Sequence, residues 1–190
     1  MKKILPVLLL IMNMNVTAQI QPVKETPVPI ETLSDYEVKK DPKNDEDVYR
    51  GIFSYKDLQK DASFGWLQKG MDEYTPDAKA MKYLNEHLRS YDIRVFMGTW
   101  CSDSHEMIPK FYKVLQGVGF MPMGNLVIGM DRDKTTKEPY MKQVKEFRVT
   151  LLPTIILINS DGQEAGRITE SVDKSIEADL VKIIKKDLKR

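Results

Sequence analysis

Sulfur and imidazole side chains are scarce in this sequence, whose 190 residues include one cysteine, Cys101, and two histidines. A single thiol cannot form a disulfide within the chain, and one cysteine with two histidines falls short of a normal zinc ligand set. We therefore expect neither a metal nor another cofactor. Any chemistry at Cys101 has to proceed without a second thiol from the same chain.

The sequence also lacks an excess of charge of either sign. Its 29 lysines and arginines nearly balance 28 acidic residues, which gives a formal net charge of +1. Nucleic-acid-binding proteins need a marked basic excess to neutralise phosphates, so we expect no nucleic-acid partner. A composition that is 42% hydrophobic and 30% charged is typical of a globular protein, and the length predicts one domain with appendages.

No apolar run in the sequence is long enough to span a bilayer. Lys2 and Lys3 precede an apolar run over residues 4–12, which is about half of the ~20 residues that a transmembrane helix needs. Small residues at 16–18 then precede Gln19. This pattern predicts a secretory signal peptide over residues 1–18, cleaved near Ala18. We therefore expect an exported protein, periplasmic or secreted, with no membrane span.

Prolines and acidic residues characterise the segment that follows the predicted signal peptide. Prolines stand at positions 22, 27, 29 and 42, acidic residues occupy 45–47, and the apolar residues show no period. This composition predicts an extended or flexible arm over residues 19–50, with a short edge strand over 48–53. The domain itself is expected over residues 51–190, with its core over 75–188.

Hydrophobic periodicity predicts alternating helices and strands from residue 75 onwards. Thr75 is a candidate N-cap before Pro76, Ser171 could cap the last helix, and Asp161-Gly162 is typical of a hairpin turn. The alternation predicts an α/β fold: a central mixed sheet of parallel strands plus a C-terminal β-hairpin, with helices on both faces. Helices are expected over about residues 75–89, 103–117 and 139–147 and after Ser171, and strands over 93–97, 126–130, 154–158 and 164–169.

The segment Trp100-Cys101-Ser102-Asp103-Ser104 resembles the thioredoxin family, whose Trp-Cys-x-x-Cys motif opens a helix directly after a strand. Pro109 stands where the family has a helix-kinking proline. The run Leu151-Leu152-Pro153-Thr154 matches the family's Ile-Pro-Thr run, whose proline is cis. The resemblance covers about residues 75–188 and implies a thioredoxin-like fold.

Three positions depart from the family pattern. Ser104 stands in the place of the resolving cysteine, Val95 in the place of a buried acid, and Glu170 in the place of a glycine near the end of the last strand. Ser104 cannot attack a mixed disulfide. A disulfide between Cys101 and a partner would therefore have to be resolved by an external thiol or by a second cysteine of the partner.

Cys101 is the candidate nucleophile. At the start of a helix, unpaired N–H groups and the positive end of the helix dipole favour the thiolate, which is the reactive form. The alternative is a buried, inert cysteine that packs as a small hydrophobic residue. For Ser104, two roles remain open: a hydrogen bond to the Cys101 sulfur, or a hydrogen bond accepted from a backbone N–H, as serine makes in the first turn of a helix.

Four further residues are expected around the thiol. His105, four residues after Cys101, would favour the thiolate if the two share a helix face, and otherwise is an exposed residue without a role. Asp103 either penalises the anion or is an ordinary first-turn acid. Trp100 is expected as a wall of the groove. The resemblance implies that Pro153 packs beside the cysteine and that the backbone of Leu152 pairs with a bound peptide.

These residues lead to three functional hypotheses. The first is an exported monothiol protein that forms transient mixed disulfides through Cys101, in disulfide isomerisation, deglutathionylation and cell redox homeostasis. Its partner would be a thiol-containing protein or a low-molecular-weight thiol. The second is a redox-inert binding module that uses the groove beside Pro153. The third, a thiol peroxidase, is weaker because the sequence shows no peroxidase-type threonine and arginine around the cysteine.

The predicted signal peptide can be tested directly. Expressed in a secretion-competent host, the mature protein should begin at or near Gln19, because residues 1–18 have the charge and length of a cleaved signal. N-terminal sequencing or intact-mass measurement of the folded protein checks this. Mature, folded protein that still begins with Met1 would contradict it.

Overall fold

Six strands and six α-helices occupy the part of the chain that the computed structural model describes, residues 34–120 and 127–190. The predicted signal peptide, its cleavage site and residues 19–33 of the predicted arm lie outside these ranges. The strands are β1 (Asp35–Lys40), β2 (Asp47–Phe53), β3 (Asp92–Met97), β4 (Val127–Gly129), β5 (Thr154–Ile158) and β6 (Glu164–Thr169). The helices are α1 (Tyr55–Lys60), α2 (Gly65–Glu73), α3 (Ala78–His87), α4 (Ser102–Gly117), α5 (Met141–Glu146) and α6 (Ile176–Asp187).

All six strands form one mixed sheet in the order β1-β2-β4-β3-β5-β6. The predicted α/β class is confirmed at this level. Strands β3 and β4 are parallel, as the alternating part of the sequence predicts, and β5 and β6 form the expected antiparallel hairpin. The other neighbouring strands of the described sheet are antiparallel, including β5 with β3, so parallel pairing there is limited to β3 and β4. Strand β4 ends opposite Met97 of β3, and β5 begins opposite Phe96 of β3. Both ends of the connection from β4 to β5 therefore lie at the same edge of the sheet. A parallel strand would require a connection that crosses the whole sheet.

Residues of the predicted arm form the outer strand of the sheet. Strand β1 pairs antiparallel with β2, from Asp35 opposite Ile52 to Lys40 opposite Asp47. Because β2 also pairs with β4, the strand predicted at an edge over 48–53 is internal, and the expected boundary at residue 51 falls within it. Pro42 lies in the turn between β1 and β2, where the missing N–H of proline costs no ladder hydrogen bond. Pro42 is therefore compatible with β1, the strand that residues of the predicted arm form.

Helices cover both faces of the sheet, as the sequence predicts. Successive side chains of a strand point to opposite faces. On β3, Val95 belongs to the larger core cluster, with α2, α3, α4 and α6, whereas Phe96 belongs to a smaller cluster with Val144 of α5. No helix within residues 34–120 and 127–190 is long and apolar enough to cross a bilayer.

The predicted N-cap at Thr75 is wrong by two residues. Helix α3 begins at Ala78, and the carboxylate of Asp77 accepts a hydrogen bond of 2.8 Å from the N–H of Ala80. The N–H of Asp77 is itself bound to Glu177 of α6 at 3.0 Å. This long-range contact fixes the start of the helix, and sequence periodicity does not contain it.

The predicted cap of the last helix is also displaced. Helix α6 begins after Ser175, whose hydroxyl accepts from the N–H of Ala178 at 3.3 Å. Ser171 instead continues the chain from β6, where its N–H donates to the carbonyl of Thr169 at 2.6 Å. Strands β5 and β6 have the bounds that the sequence predicts, and Gly162, with φ +75°, occupies the turn between them.

Burial on α6 generates a stability prediction. Leu180 is 0% exposed and Leu188, just after the same helix, is 60% exposed. Truncation of Leu180 to alanine should lower the free energy of unfolding by about 2–5 kcal/mol, because it removes packed atoms and leaves a cavity. Leu188→Ala is the matched control and should change it by less than about 0.5 kcal/mol. Urea unfolding measures both, and similar losses from the two variants would contradict the position of α6.

Candidate functional site

Cys101 is the N-cap of α4, at the point where the chain leaves β3. Its backbone has φ −97° and ψ 121°, and its carbonyl accepts the first helical hydrogen bond from the N–H of His105 at 3.0 Å. Its own N–H donates to the carbonyl of Gly98 at 3.0 Å. The thiol therefore lies at the positive end of a 16-residue helix, an environment that favours an anion.

The sulfur of Cys101 is packed against the segment before β5. Its Sγ lies 3.6 Å from the carbonyl oxygen of Leu152, and the Leu152–Pro153 peptide bond is cis. The antiparallel pairing of β3 and β5, with Phe96 opposite Thr154, places these two segments side by side. Cys101 is only 8% exposed. The helix-start position thus fits the reactive alternative, whereas the burial fits the inert one.

Ser104 has the second of its two expected roles. It is 0% exposed, and its hydroxyl accepts a hydrogen bond of 3.3 Å from the backbone N–H of Gly98. Gly98 is the residue that follows β3. The serine therefore links the first turn of α4 to the end of β3. The sulfur of Cys101 contacts the carbonyl of Leu152 and not the serine hydroxyl.

The ring of His105 makes its contacts away from the Cys101 thiol, its predicted partner. Its Nε2 lies 2.6 Å from the carbonyl oxygen of Thr99, and its ring stacks on Trp66 of α2 at 4.3 Å between centroids. A carbonyl can only accept, so this contact assigns a hydrogen to Nε2. Within the described residues no hydrogen bond joins the His105 ring to the sulfur of Cys101. Asp103 is exposed in the first turn of α4, the place of an ordinary first-turn acid.

Trp100 connects the thiol segment to the loop that follows β4, residues 130–140. Its indole Nε1 donates to the carbonyl of Met130 at 2.8 Å. Two cations of that loop lie over the indole ring: the guanidinium carbon of Arg132 at 4.5 Å and the ammonium of Lys134 at 4.9 Å from the ring centroid. Cation–π contacts of this kind hold the loop against the residue that precedes Cys101.

Arg132 is bound by Asp41, a pairing that sequence reasoning missed. The guanidinium donates from Nε and Nη2 to both carboxylate oxygens of Asp41, at 2.6–2.9 Å. The Asp41 side chain is fully buried, whereas that of Arg132 is 29% exposed. The hydrogen bonds from Arg132 hold the pKa of Asp41 below its usual value, although burial opposes this shift. The available signal was the charged run over 131–134, directly after a buried strand.

A second charged group anchors the same loop to β2. Arg50 is largely buried, pairs with Glu37 of β1, and places its Nε 2.7 Å from a carboxylate oxygen of Asp131. Burial raises the pKa of Asp131, and a hydrogen bond to the Asp133 carboxyl raises it further. The same hydrogen bond, together with Thr135, lowers the pKa of Asp133 to about 2. These contacts fix the loop to β2 through Arg50, which is itself held by Glu37 of β1.

The other two departures from the thioredoxin pattern have simple structural roles. Val95 is 2% exposed and packs in the larger core cluster. Glu170 has φ +58°, a left-handed conformation that glycine adopts without cost, and its N–H donates to the carbonyl of Pro153 at 2.9 Å. No cluster of three or more histidine, cysteine or acidic residues able to hold a metal occurs in residues 34–120 and 127–190.

The role of Ser104 can be tested by truncation. Ser104→Ala should lower the free energy of unfolding by about 1–3 kcal/mol, because it leaves the buried N–H of Gly98 without its acceptor. Ser102→Ala, at an exposed position of the same helical turn, should change it by less than about 0.5 kcal/mol. Chemical denaturation measures both variants. Equal stability of Ser104→Ala and wild type would contradict the hydrogen bond.

Comparison with known proteins yields only weak structural likenesses. No protein-family model and no characterised protein matches this chain. A protein of unknown function from Pseudomonas aeruginosa is 11% identical, with a TM-score of 0.49 over 70% of this chain and 98% of that chain. An HIV epitope-scaffold is 13% identical, with a TM-score of 0.43 and the same coverage. Likenesses of this strength carry no argument about the fold or the function of this chain.

Proposed function

We propose that this chain is a thioredoxin-like monothiol protein that forms transient mixed disulfides through Cys101. The observation that carries the proposal is the position of the thiol at the first turn of α4, 3.6 Å from the carbonyl of Leu152. Three separate segments of the sequence that resemble the thioredoxin family, around Cys101, Pro109 and Pro153, occupy the helix start, the helix interior and the neighbouring loop.

The order of elements around the site supports a thioredoxin-like arrangement. Strand β3, helix α4 and strand β4 form a parallel unit, and the antiparallel hairpin of β5 and β6 follows on the other side of β3. Helix α6 then packs against β6 and α4. In this arrangement β1 is an addition outside β2, so the N-terminal segment widens the sheet without changing its centre.

The reaction needs one sulfur from this chain. The Cys101 thiolate attacks one sulfur of a partner disulfide, a new bond forms between the two sulfurs, and the partner's other sulfur leaves as a thiolate. An external thiolate, or a second cysteine of the partner, then attacks the partner's sulfur and releases Cys101 as a thiolate. The Ser104 hydroxyl cannot perform this second attack. The cycle therefore suits isomerisation or deglutathionylation, in which the second thiol comes from outside this chain, rather than reduction of a disulfide by two thiols of this chain.

A partner would approach the thiol along the 151–154 segment. Leu151 is 43% exposed, and the half-buried Trp100 packs against the core cluster that contains Leu152. These two side chains offer apolar contacts beside Cys101. We propose a thiol-containing protein or a low-molecular-weight thiol as partner. The exported location, in the periplasm or outside the cell, is proposed from residues 1–18.

The burial of Cys101 favours a second candidate function. A thiol that is 8% exposed and already in contact with a carbonyl is a poor nucleophile if its surroundings do not open. In that case the surface beside Pro153 would serve recognition alone, and the chain would be a redox-inert binding module. The two functions differ in the rate at which the thiol reacts in the folded protein.

The single cysteine makes a matched rate measurement possible. At pH 7 an ordinary thiol is only a few per cent thiolate. The denatured chain contains the same cysteine without its folded surroundings, so its reaction rate is the reference for an ordinary thiol. We expect folded Cys101 to react with glutathione disulfide on the order of tenfold faster than denatured Cys101, because the start of α4 favours the thiolate. Stopped-flow or mass spectrometry follows the mixed disulfide, and Cys101→Ser controls for other adducts.

The same experiment separates the two functions. A folded thiol that reacts far more slowly than the denatured one contradicts mixed-disulfide chemistry and supports the binding module. If the folded thiol is fast, capture of partners from an exported fraction through a reductant-sensitive bond, absent in Cys101→Ser, identifies the physiological substrates.

A further inference from the structure

We propose that the outer edge of β6, together with the face of α6 beside it, binds an extended acidic segment of a partner polypeptide, which adds to the sheet as a further strand. This surface goes beyond the proposed mixed-disulfide function and needs no thiol. A groove of about 410 Å³ runs along the edge, with residues 165–169 of β6 on one side and α6 on the other.

Strand β6 is the outermost strand at one side of the sheet, because β5 is its only neighbour in the described part of the chain. Thr154 of β5 lies opposite Thr169, so the next opposite pair is Pro153 and Glu170, and the N–H of Glu170 donates to the carbonyl of Pro153 at 2.9 Å. Opposite pairs in an antiparallel ladder alternate between hydrogen-bonded and non-hydrogen-bonded. It follows that Arg167 and Thr169 direct their backbone N–H and C=O groups away from β5.

Three of these four outward groups have no hydrogen-bond partner among residues 34–120 and 127–190. They are the N–H and C=O of Arg167 and the N–H of Thr169, whereas the carbonyl of Thr169 accepts from the N–H of Ser171 at 2.6 Å. An extended polypeptide presents donors and acceptors at the spacing of a strand. It is therefore the class of ligand that can pair with all three groups at once.

The two outer strands of the sheet differ in how their edges are protected. Strand β1 ends in Lys39 and Lys40 and is soon followed by Pro42, and lysine and proline are residues that keep a second strand from pairing with an edge. Strand β6 contains neither. The register shift between β5 and β6 lies before Gly166, so the pairing from there to Thr169 is regular. Of the two outer strands, β6 is therefore better suited to accept another strand.

Helix α6 forms the second wall of the groove. The residues of α6 that line it follow each other at i, i+3, i+4 and i+7 and so share one helix face: Asp179, Lys182, Ile183 and Lys186. This face lies close to β6, because a Cβ placed on Gly166 would meet the side chain of Ile183 at 3.0 Å. A strand added about 4.8 Å beyond β6 would lie along this helix face and cover the half-buried Ile183.

The charge of this helix face favours an acidic segment. Asp179 is buried and accepts a hydrogen bond of 2.7 Å from the N–H of Asp173, so its carboxylate already has a partner within the protein. Lys182 forms an exposed ion pair with Asp173, whereas Lys186 is exposed and has no ion-pair partner in the part of the chain that the structure describes. An acidic side chain of the added strand would complement Lys186.

The same lysines disfavour a second copy of this chain as the occupant. Antiparallel pairing of β6 with the β6 of another copy about a two-fold axis would place both α6 helices side by side on one face of the joined sheet. Lys182 and Lys186 of one copy would then face those of the other, and like charges in such positions repel. A segment with glutamates on the side that faces α6 avoids this repulsion.

The probe is a fluorescent hexapeptide with blocked ends that alternates valine and glutamate. By fluorescence anisotropy it should bind the full chain on the order of tenfold more tightly than the matched valine–lysine hexapeptide. N-methylation of one alternate set of its amides should abolish binding and N-methylation of the other set should not, because only one side of the peptide backbone faces β6. In hydrogen exchange, the amides of Arg167 and Thr169 should be unprotected in the free protein and protected with the peptide bound.

Two variants of the protein test the strand and the charge separately. Thr169→Pro removes one outward N–H from an edge strand, where proline is tolerated, and should weaken binding about tenfold. Thr169→Val is its matched control, because it keeps the N–H and should bind like wild type. Lys186→Glu should weaken binding by about three- to tenfold. Lys145→Glu, at an exposed position of α5 that does not line the groove, should leave binding unchanged.

Four results would overturn the proposal. Absence of binding of the glutamate peptide refutes the site, and equal affinity for the glutamate and lysine peptides refutes the acidic partner. Wild-type affinity of Thr169→Pro, or outward amides that stay unprotected with the peptide bound, refutes the added strand. A dimer in sedimentation that protects these amides assigns the edge to a second copy instead. If Thr169→Pro does not fold, the N-methylated peptides and hydrogen exchange test the strand on the wild-type protein.

Discussion

The position of β3 in the centre of the sheet is the constraint on which the site depends. It is hydrogen-bonded to β4 in parallel on one side and to β5 in antiparallel on the other. As a result, the end of β3, the end of β4 and the start of β5 meet at one edge. Cys101, the loop carrying Arg132, and Leu152 follow or precede these three strand ends, so the pairing brings together residues from distant parts of the chain.

Several charged side chains lie at this same edge of the sheet, beside the apolar core. In the loop after β4, Asp131 and Arg132 are paired across the fold, with Arg50 and Asp41, whereas Asp133 bonds within the loop, to Asp131 and Thr135. Buried charges are tolerated only with partners in good geometry, and Asp41 and Arg50 provide them from the N-terminal hairpin. The N-terminal strands are therefore tied to the site by electrostatics as well as by the backbone ladder of the sheet.

The thiol itself is subject to two opposing influences. Its place at the first turn of α4 favours an anion, while its burial against Leu152 favours the neutral, packed form. Ser104 does not relieve this opposition, because its hydroxyl is used by Gly98. Access to the sulfur therefore depends on how readily the segment around Leu151 and Leu152 moves away from it.

Local patterns in the sequence determined most of the secondary structure from residue 75 onwards. Periodicity and turn chemistry identified β5, β6 and the hairpin between them, and the Trp-Cys-x-x-Ser segment was correctly expected at a strand-to-helix junction. These features depend on neighbouring residues, so they can be recognised without knowing the fold. The caps at Thr75 and Ser171 were wrong because long-range contacts, such as that between Asp77 and Glu177, decide where those helices begin.

Only the tertiary structure decided the direction of β5, the inclusion of β1 in the sheet and the partners of the site residues. The sequence placed His105 one helical turn after Cys101, but the ring of Trp66 and the carbonyl of Thr99 determine where its side chain lies. Asp41 and Arg132 are 91 positions apart, and the residues around each of them do not indicate that the two side chains pair. Charge pairing across a fold depends on which strands become neighbours, and that is settled by the packing of the whole sheet.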